Sequence, residues 1–122
     1  NELKKDGVNS VAIMSNDTKN YPEDSFDNMI KFAEMNYFDE VNYLLDETQE
    51  IAKKYGAVCT PDFFGYNTSL KMHYRGRLDA TRMSATNDNL KPELLNAMIE
   101  ISQTGEGPAI QNPSVGCSIK WK

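Results

Sequence analysis

The stretch VCTPDFFGYNTSLKMHYRGRLD, Val58 to Asp79, decides how the chain is read. Its first half holds an apolar run, Phe63 to Tyr66, followed by the turn-forming Asn67-Thr68-Ser69. In its second half Leu70, Met72 and Tyr74 alternate with Lys71, His73 and Arg75. Successive side chains of a strand point to opposite faces, so this alternation gives one apolar and one polar face. The whole predicts a hairpin of Phe63–Tyr66 with Leu70–Arg75. At its mouth stand Thr60 and Pro61, directly after Cys59. Proline donates no backbone hydrogen bond and does not belong inside a central strand. Here it marks the entry to one, beside a thiol.

Upstream, VNSVAIM, Val8 to Met14, is short, β-branched and apolar and runs into the polar SNDTKN, which predicts a buried strand and then a loop. Tyr21-Pro22-Glu23-Asp24 reads as a helix start, because proline fits the first turn and acidic residues suit the positive end of the helix dipole. Phe26, Met29, Ile30 and Ala33 then share one helical face, predicted to be core. Tyr37 to Leu45 predicts a second strand. Asp46-Glu47-Thr48-Gln49 resembles a capping box, the aspartate accepting from early amides and the glutamine reaching back. A short helix follows with Ile51, Ala52 and Tyr55 inward, and Gly56 stops it.

Downstream, Arg77 to Asn89 reads as a long polar loop. From about Leu90 a last helix puts Leu90, Leu94, Ala97, Met98 and Ile101 on one face, with Pro92 tolerated near its first turn and Gly105 as its stop. Residues 106–122, rich in proline and glycine, predict an irregular tail. The opening NELKK with Asp6-Gly7 reads as the end of a helix, so we expect the domain to begin upstream of Asn1. Strand, helix, strand, helix, hairpin, helix is the order of an α/β protein: a parallel sheet with an antiparallel edge.

The chain has 122 residues, 39% hydrophobic and 25% charged, which fits one ordinary globular domain with a single core. A net charge of −5, with Lys and Arg scattered, offers no electrostatic footprint for phosphate backbones, so nucleic acid is not the expected partner. No apolar run approaches the ~18 residues that span a bilayer. We expect no membrane partner and a cytoplasmic location. The two cysteines, Cys59 and Cys117, form no Cys-x-x-Cys, and His73 is the single histidine, too few ligands for a zinc site within one chain. Neither metal nor cofactor is expected. The thiols fit a reducing compartment, one disulfide or redox work, and inert packing is the plainest reading.

A helix ending in Tyr55-Gly56, then Val58, Thr60-Pro61, Phe63-Phe64, a turn, and a strand running into Tyr74-Arg75-Gly76-Arg77-Leu78-Asp79 resembles the second half of the thioredoxin-like fold, in its peroxiredoxin-like branch related to alkyl hydroperoxide reductase and thiol-specific antioxidant proteins. Ser15-Asn16-Asp17, Tyr21 to Phe26, Asp46 to Gln49 and the closing Gly116 to Trp121 are similar to a bacterial thioredoxin-like family. The resemblance covers nearly the whole chain. It implies a three-layer fold lacking its N-terminal strand and most of its first helix, the missing strand lying between those near Val11 and Phe64. It implies a cis bond before Pro61, since an X-Pro bond becomes cis at a cost of only ~0.5–1 kcal/mol; the plain alternative is a trans proline opening an edge strand.

By the same resemblance the function is that of a thiol-disulfide oxidoreductase or thiol peroxidase, here without its nucleophilic cysteine and therefore inactive alone. The alternative is a non-catalytic binding module that uses the Thr60-Pro61 loop. Thr60, Pro61 and Arg75 are the candidate substrate-binding residues, and Cys59 and Cys117 the candidate accessory thiols; Arg77 and Asp79 could also contact substrate or be plain solvated charges. The implied partners are a thiol or disulfide protein, a small peroxide, and a second copy of the chain burying Met14, Phe63 and Phe64.

Overall fold

The computed structural model describes residues 2–79 and 91–122, a mixed α/β chain divided into two compact units, one of Asn9–Val58 with Ser118–Lys122 and one of Glu2–Val8 with Cys59–Cys117. Leu90 and most of the Arg77 to Asn89 stretch lie outside the described residues. None of the described helices is long and apolar enough to cross a membrane.

In the first unit, β1 (Val11–Met14) and β2 (Asn42–Leu45) pair in parallel, Ile13 opposite Leu44 and Met14 opposite Leu45. The intervening helix α1 (Phe26–Met35) starts later than the proline signal predicts. Ser25 takes the N-cap, its Oγ accepting from the Asn28 amide at 3.3 Å, and Pro22–Asp24 is left as a separate 3-10 turn. Met29 is buried as expected, but Phe26 and Ile30 are 56% and 45% exposed. Periodicity places residues on a face; what packs there depends on neighbours. The second strand begins at Asn42, not Tyr37, because Tyr37 has a left-handed φ of 57° and Phe38–Glu40 makes a further 3-10 turn. Phe38 and Tyr43 stack edge to face at 5.4 Å, each also against Phe32.

Helix α2 (Glu50–Tyr55) turns only Ala52 fully inward; Ile51 and Tyr55 face solvent, contrary to the sequence reading. Six residues make less than two turns, which leaves room for one buried position. Gly56, at φ 70°, ends it.

In the second unit, Glu2–Asp6 is a 3-10 turn stopped by Gly7 at φ 78°. β3 (Cys59–Thr60) pairs with the chain at Cys117, the start of β6 (Cys117–Ser118). The hairpin joins β4 (Phe63–Tyr66) to β5 (Met72–Gly76), Phe64 opposite Arg75. Leu70 lies in the turn rather than the strand, 83% exposed at φ 60°. Asn67 closes that turn, its Oδ1 accepting from the amides of Ser69 (3.0 Å) and Lys71 (3.1 Å).

Helix α3 (Glu93–Thr104) lays Ala97, Met98 and Ile101 on Tyr74, with Leu3, Val8, Phe63 and Leu94 around them. Full burial of such side chains contributes ~1.5–3 kcal/mol each, so this cluster anchors the hairpin. Gly65 permits the approach, since a Cβ there would collide with the Met98 sulfur. Gly105, at φ 78°, ends α3 where the sequence predicts.

Candidate functional site

The Thr60–Pro61 bond is cis, as the resemblance implies. Around it the second unit assembles residues from four stretches. Cys59 enters on β3, its thiol 3.9 Å from the Pro61 carbonyl oxygen. The hydroxyl of Thr60 donates to the Cys117 carbonyl at 3.3 Å, so the tail returns to the loop. A Cβ on Gly116 would collide with the Thr60 carbonyl, and only glycine lets the chain pass this close. The two cysteines, distant in sequence, thus flank one proline loop, both as free thiols.

Asp62 continues the loop with its side chain only 4% exposed. It pairs with the Arg75 guanidinium at 3.3 Å. Ser114 Oγ lies 2.8 Å from Asp62 Oδ1 and also within reach of the Gly76 carbonyl; its one proton serves one of them at a time. The Arg75 guanidinium sits 5.0 Å over the Phe64 ring, a cation–π contact that fixes its direction. Arg75 is therefore at the loop, with its charge engaged by Asp62.

Burial pushes the Cys59 thiol up from its ordinary value, the Asp62 carboxylate adds to the rise, and Arg75 only partly opposes it. An attacking thiol needs the reverse. Cys59 is thus a protonated thiol at neutral pH, placed to donate a hydrogen bond to the Pro61 carbonyl rather than to attack.

One expectation for the charged residues changes. Arg77 forms a two-pronged pair with Glu93 at 2.7 and 2.9 Å, which Asn112 joins through its Nδ2 at 3.3 Å. It anchors the start of α3 instead of facing a substrate. His73 belongs to no group of metal-ligating side chains among the described residues. Sequence reasoning missed Asp62, Ser114 and Gly116. Of these only Asp62, adjacent to Thr60-Pro61, carries a local signal.

In the first unit the motifs that support the family resemblance meet in a polar knot. Asp46, 7% exposed, accepts from Ser15 Oγ (2.8 Å) and from the amides of Ala52 (2.9 Å) and Ile51 (3.3 Å). Burial alone would raise its pKa, but these hydrogen bonds, the Ala52 amide first, hold it below the usual carboxylate range. The aspartate half of the capping box is therefore as read. The glutamine half is not: Gln49 Nε2 donates to the carbonyls of Ser15 (2.8 Å) and Lys120 (2.9 Å), and its Oε1 accepts from the Lys122 amide (3.1 Å). Asn16 and Asp17 hold Lys120 from the other side, through the Lys120 amide at 2.9 Å and its carbonyl at 2.7 Å. No buried side-chain nitrogen or oxygen among the described residues lacks a partner. A fully satisfied cluster of this kind fixes structure; here it fastens the Ile119–Lys122 tail.

No protein-family model matches the chain, and no curated protein does. Among solved structures, it is similar to an uncharacterised conserved protein from Geobacillus kaustophilus, 46% identical with a TM-score of 0.88 over 99% of this chain and 64% of that one. It is also similar to a hypothetical protein from Sinorhizobium meliloti 1021, 34% identical with a TM-score of 0.88 over 99% of this chain and 66% of that one. The chain shares its fold with both, and spans just under two thirds of the length of each.

Proposed function

We propose that the chain carries the proline-loop side of a thioredoxin-like, peroxiredoxin-like thiol redox site, acting on a disulfide protein or a small peroxide. The observation that carries this reading is that the two cysteines of the sequence, Cys59 and Cys117, are brought to one loop, with Thr60, Pro61 and Arg75 beside them. The order of a parallel β-α-β unit, a hairpin and a closing helix supports it.

In the reaction so proposed, a thiolate from outside these 122 residues attacks. It bonds to one sulfur of a substrate disulfide and expels the other as thiolate, or takes an oxygen from a hydroperoxide while the O–O bond breaks and the alcohol leaves. Cys59 is not that thiolate, because burial and Asp62 keep it protonated. Thr60, Pro61 and Arg75 position the substrate, and Cys59 or Cys117 serves as an accessory thiol. The exposed Thr60 and Pro61 also suit a second reading, a binding platform without redox chemistry.

The test is turnover of a peptide disulfide and of an alkyl hydroperoxide by the full-length polypeptide, with dithiothreitol as reductant. The redox reading predicts turnover that survives Cys59→Ser and shows a raised KM in Arg75→Ala. No turnover with either substrate contradicts it and leaves the binding platform.

A further inference from the structure

In the first unit β1 and β2 run parallel, and parallel strands are ordinarily buried on both faces, because the crossovers joining them lay helices against the sheet. One face of this pair is covered. Ala12, Met14, Tyr43 and Leu45 share it by register, Tyr43 packs on Phe32 of α1 with ring centroids 6.0 Å apart, and Met14 is buried. The opposite face is apolar and open to solvent. Val11 and Ile13 of β1 stand exposed beside Leu44 of β2, which is 51% exposed. Ile51 of α2, also exposed, lines one open hollow with Ile13 and Leu44. Apolar residues exposed singly need no explanation; a row that crosses two paired strands and continues onto a helix marks a surface that something covers.

Two observations bear on what covers it. The solved relatives match 99% of this chain at a TM-score of 0.88, yet about a third of each relative's own length lies outside the match. The second lies at the opening of the chain. The Gly7 amide donates to the Lys4 carbonyl at 3.0 Å and the Val8 amide to the Leu3 carbonyl at 3.1 Å, with Gly7 at φ 78°. This pair of bonds is the Schellman motif, which closes the last turn of an α-helix, whereas Glu2–Asp6 amounts to a 3-10 turn of five residues.

We propose that the face of Val11, Ile13, Leu44 and Ile51 is the seat of a segment that precedes Asn1 in the full-length polypeptide, an amphipathic helix whose apolar stripe lies on the open side of the sheet. A helix is the element that covers a parallel sheet, and with α1 on the other side it completes a helix–sheet–helix sandwich. The Schellman bonds place helical chain directly upstream, and the relatives supply the length.

The test uses the full-length polypeptide. Leu44→Cys puts a thiol on the face, and its alkylation by iodoacetamide is read by mass spectrometry of the peptide that carries it. The native reaction should be at least about tenfold slower than that of the same variant unfolded in urea. Equal rates would overturn the proposal. Photo-leucine incorporated at Leu44 then identifies the occupant while keeping the side chain apolar. Irradiation of a mixture of isotopically heavy and light protein should join the Leu44 peptide to a peptide from upstream of Asn1 in the same chain. Products joined only to peptides within these 122 residues or downstream of Lys122, or products joining heavy to light chains, would overturn it.

Discussion

Replacing Asp46 by asparagine isolates the polar knot with a change of one atom. Ser15 Oγ and the Ala52 amide both donate to Oδ2, and the Ile51 amide to Oδ1. Asparagine can put its carbonyl oxygen where Oδ2 stands and keep the two shorter bonds. Its NH2 then faces the Ile51 amide, two donors against each other, and the charge assistance of all three bonds is lost. A hydrogen bond to a charged group contributes ~1.5–3 kcal/mol and one to a neutral group ~1 kcal/mol, so weakening two bonds and losing the third costs ~2.5 kcal/mol at the low end; removing a buried charge offsets about 1 kcal/mol of this, which leaves a net loss of about 1–2 kcal/mol. For a chain of this size that lowers Tm by roughly 4–8 °C. Asp46→Ala strips all three donors and should cost about 3–4 kcal/mol.

The same carboxylate gives a pH signature. Its folded pKa lies below the ordinary value, so its contribution is complete above that value and is lost as pH falls through the lower folded one. Thermal melts followed by circular dichroism from pH 7 to 3 should show an acid-side fall in Tm for the parent that is shallower in Asp46→Asn. Equal Tm values at pH 7, or equally steep acid limbs, would refute the reasoning.

Truncation after Ser118 removes both tail partners of Gln49 and the buried Ile119, and should cost about 3–5 kcal/mol in urea unfolding. Gly116→Val should push the tail off Thr60 and speed alkylation of Cys117 while Cys59 changes less, read by mass spectrometry of the labelled thiols. Glu93 is held below the usual carboxylate range by its hydrogen bonds from Arg77, so Glu93→Gln should lower Tm at pH 7 and leave it nearly unchanged once pH has fallen below the native Glu93 pKa.

Local chemistry was legible in the sequence where a residue can do only one thing. Gly7, Gly56 and Gly105 stop their elements at positive φ, and Thr60-Pro61 stands before the hairpin as read. Boundaries failed where two local signals compete. Asn67 draws Leu70 into the turn, although alternation assigns Leu70 to the strand. Ser25 takes the cap that Pro22 advertises. The site was half legible. Arg75 and Cys117 were candidates, but the buried Asp62 that engages Arg75 gains its role from a strand 13 residues away. The polar knot was visible only as motifs, because the bonds that tie its separate segments together join residues 31 to 104 positions apart and a single sequence does not show which partners meet.

The chemical claim at the centre of this account is that Cys59 stands at the proline loop as a protonated, non-attacking thiol. The rate of iodoacetamide alkylation at Cys59, followed from pH 6 to 11, tests it most directly. The account predicts a midpoint above the ordinary thiol value of about 8.5, moving down in Asp62→Asn as the carboxylate is removed. A midpoint near ~7 would mark Cys59 as an activated nucleophile and contradict the account.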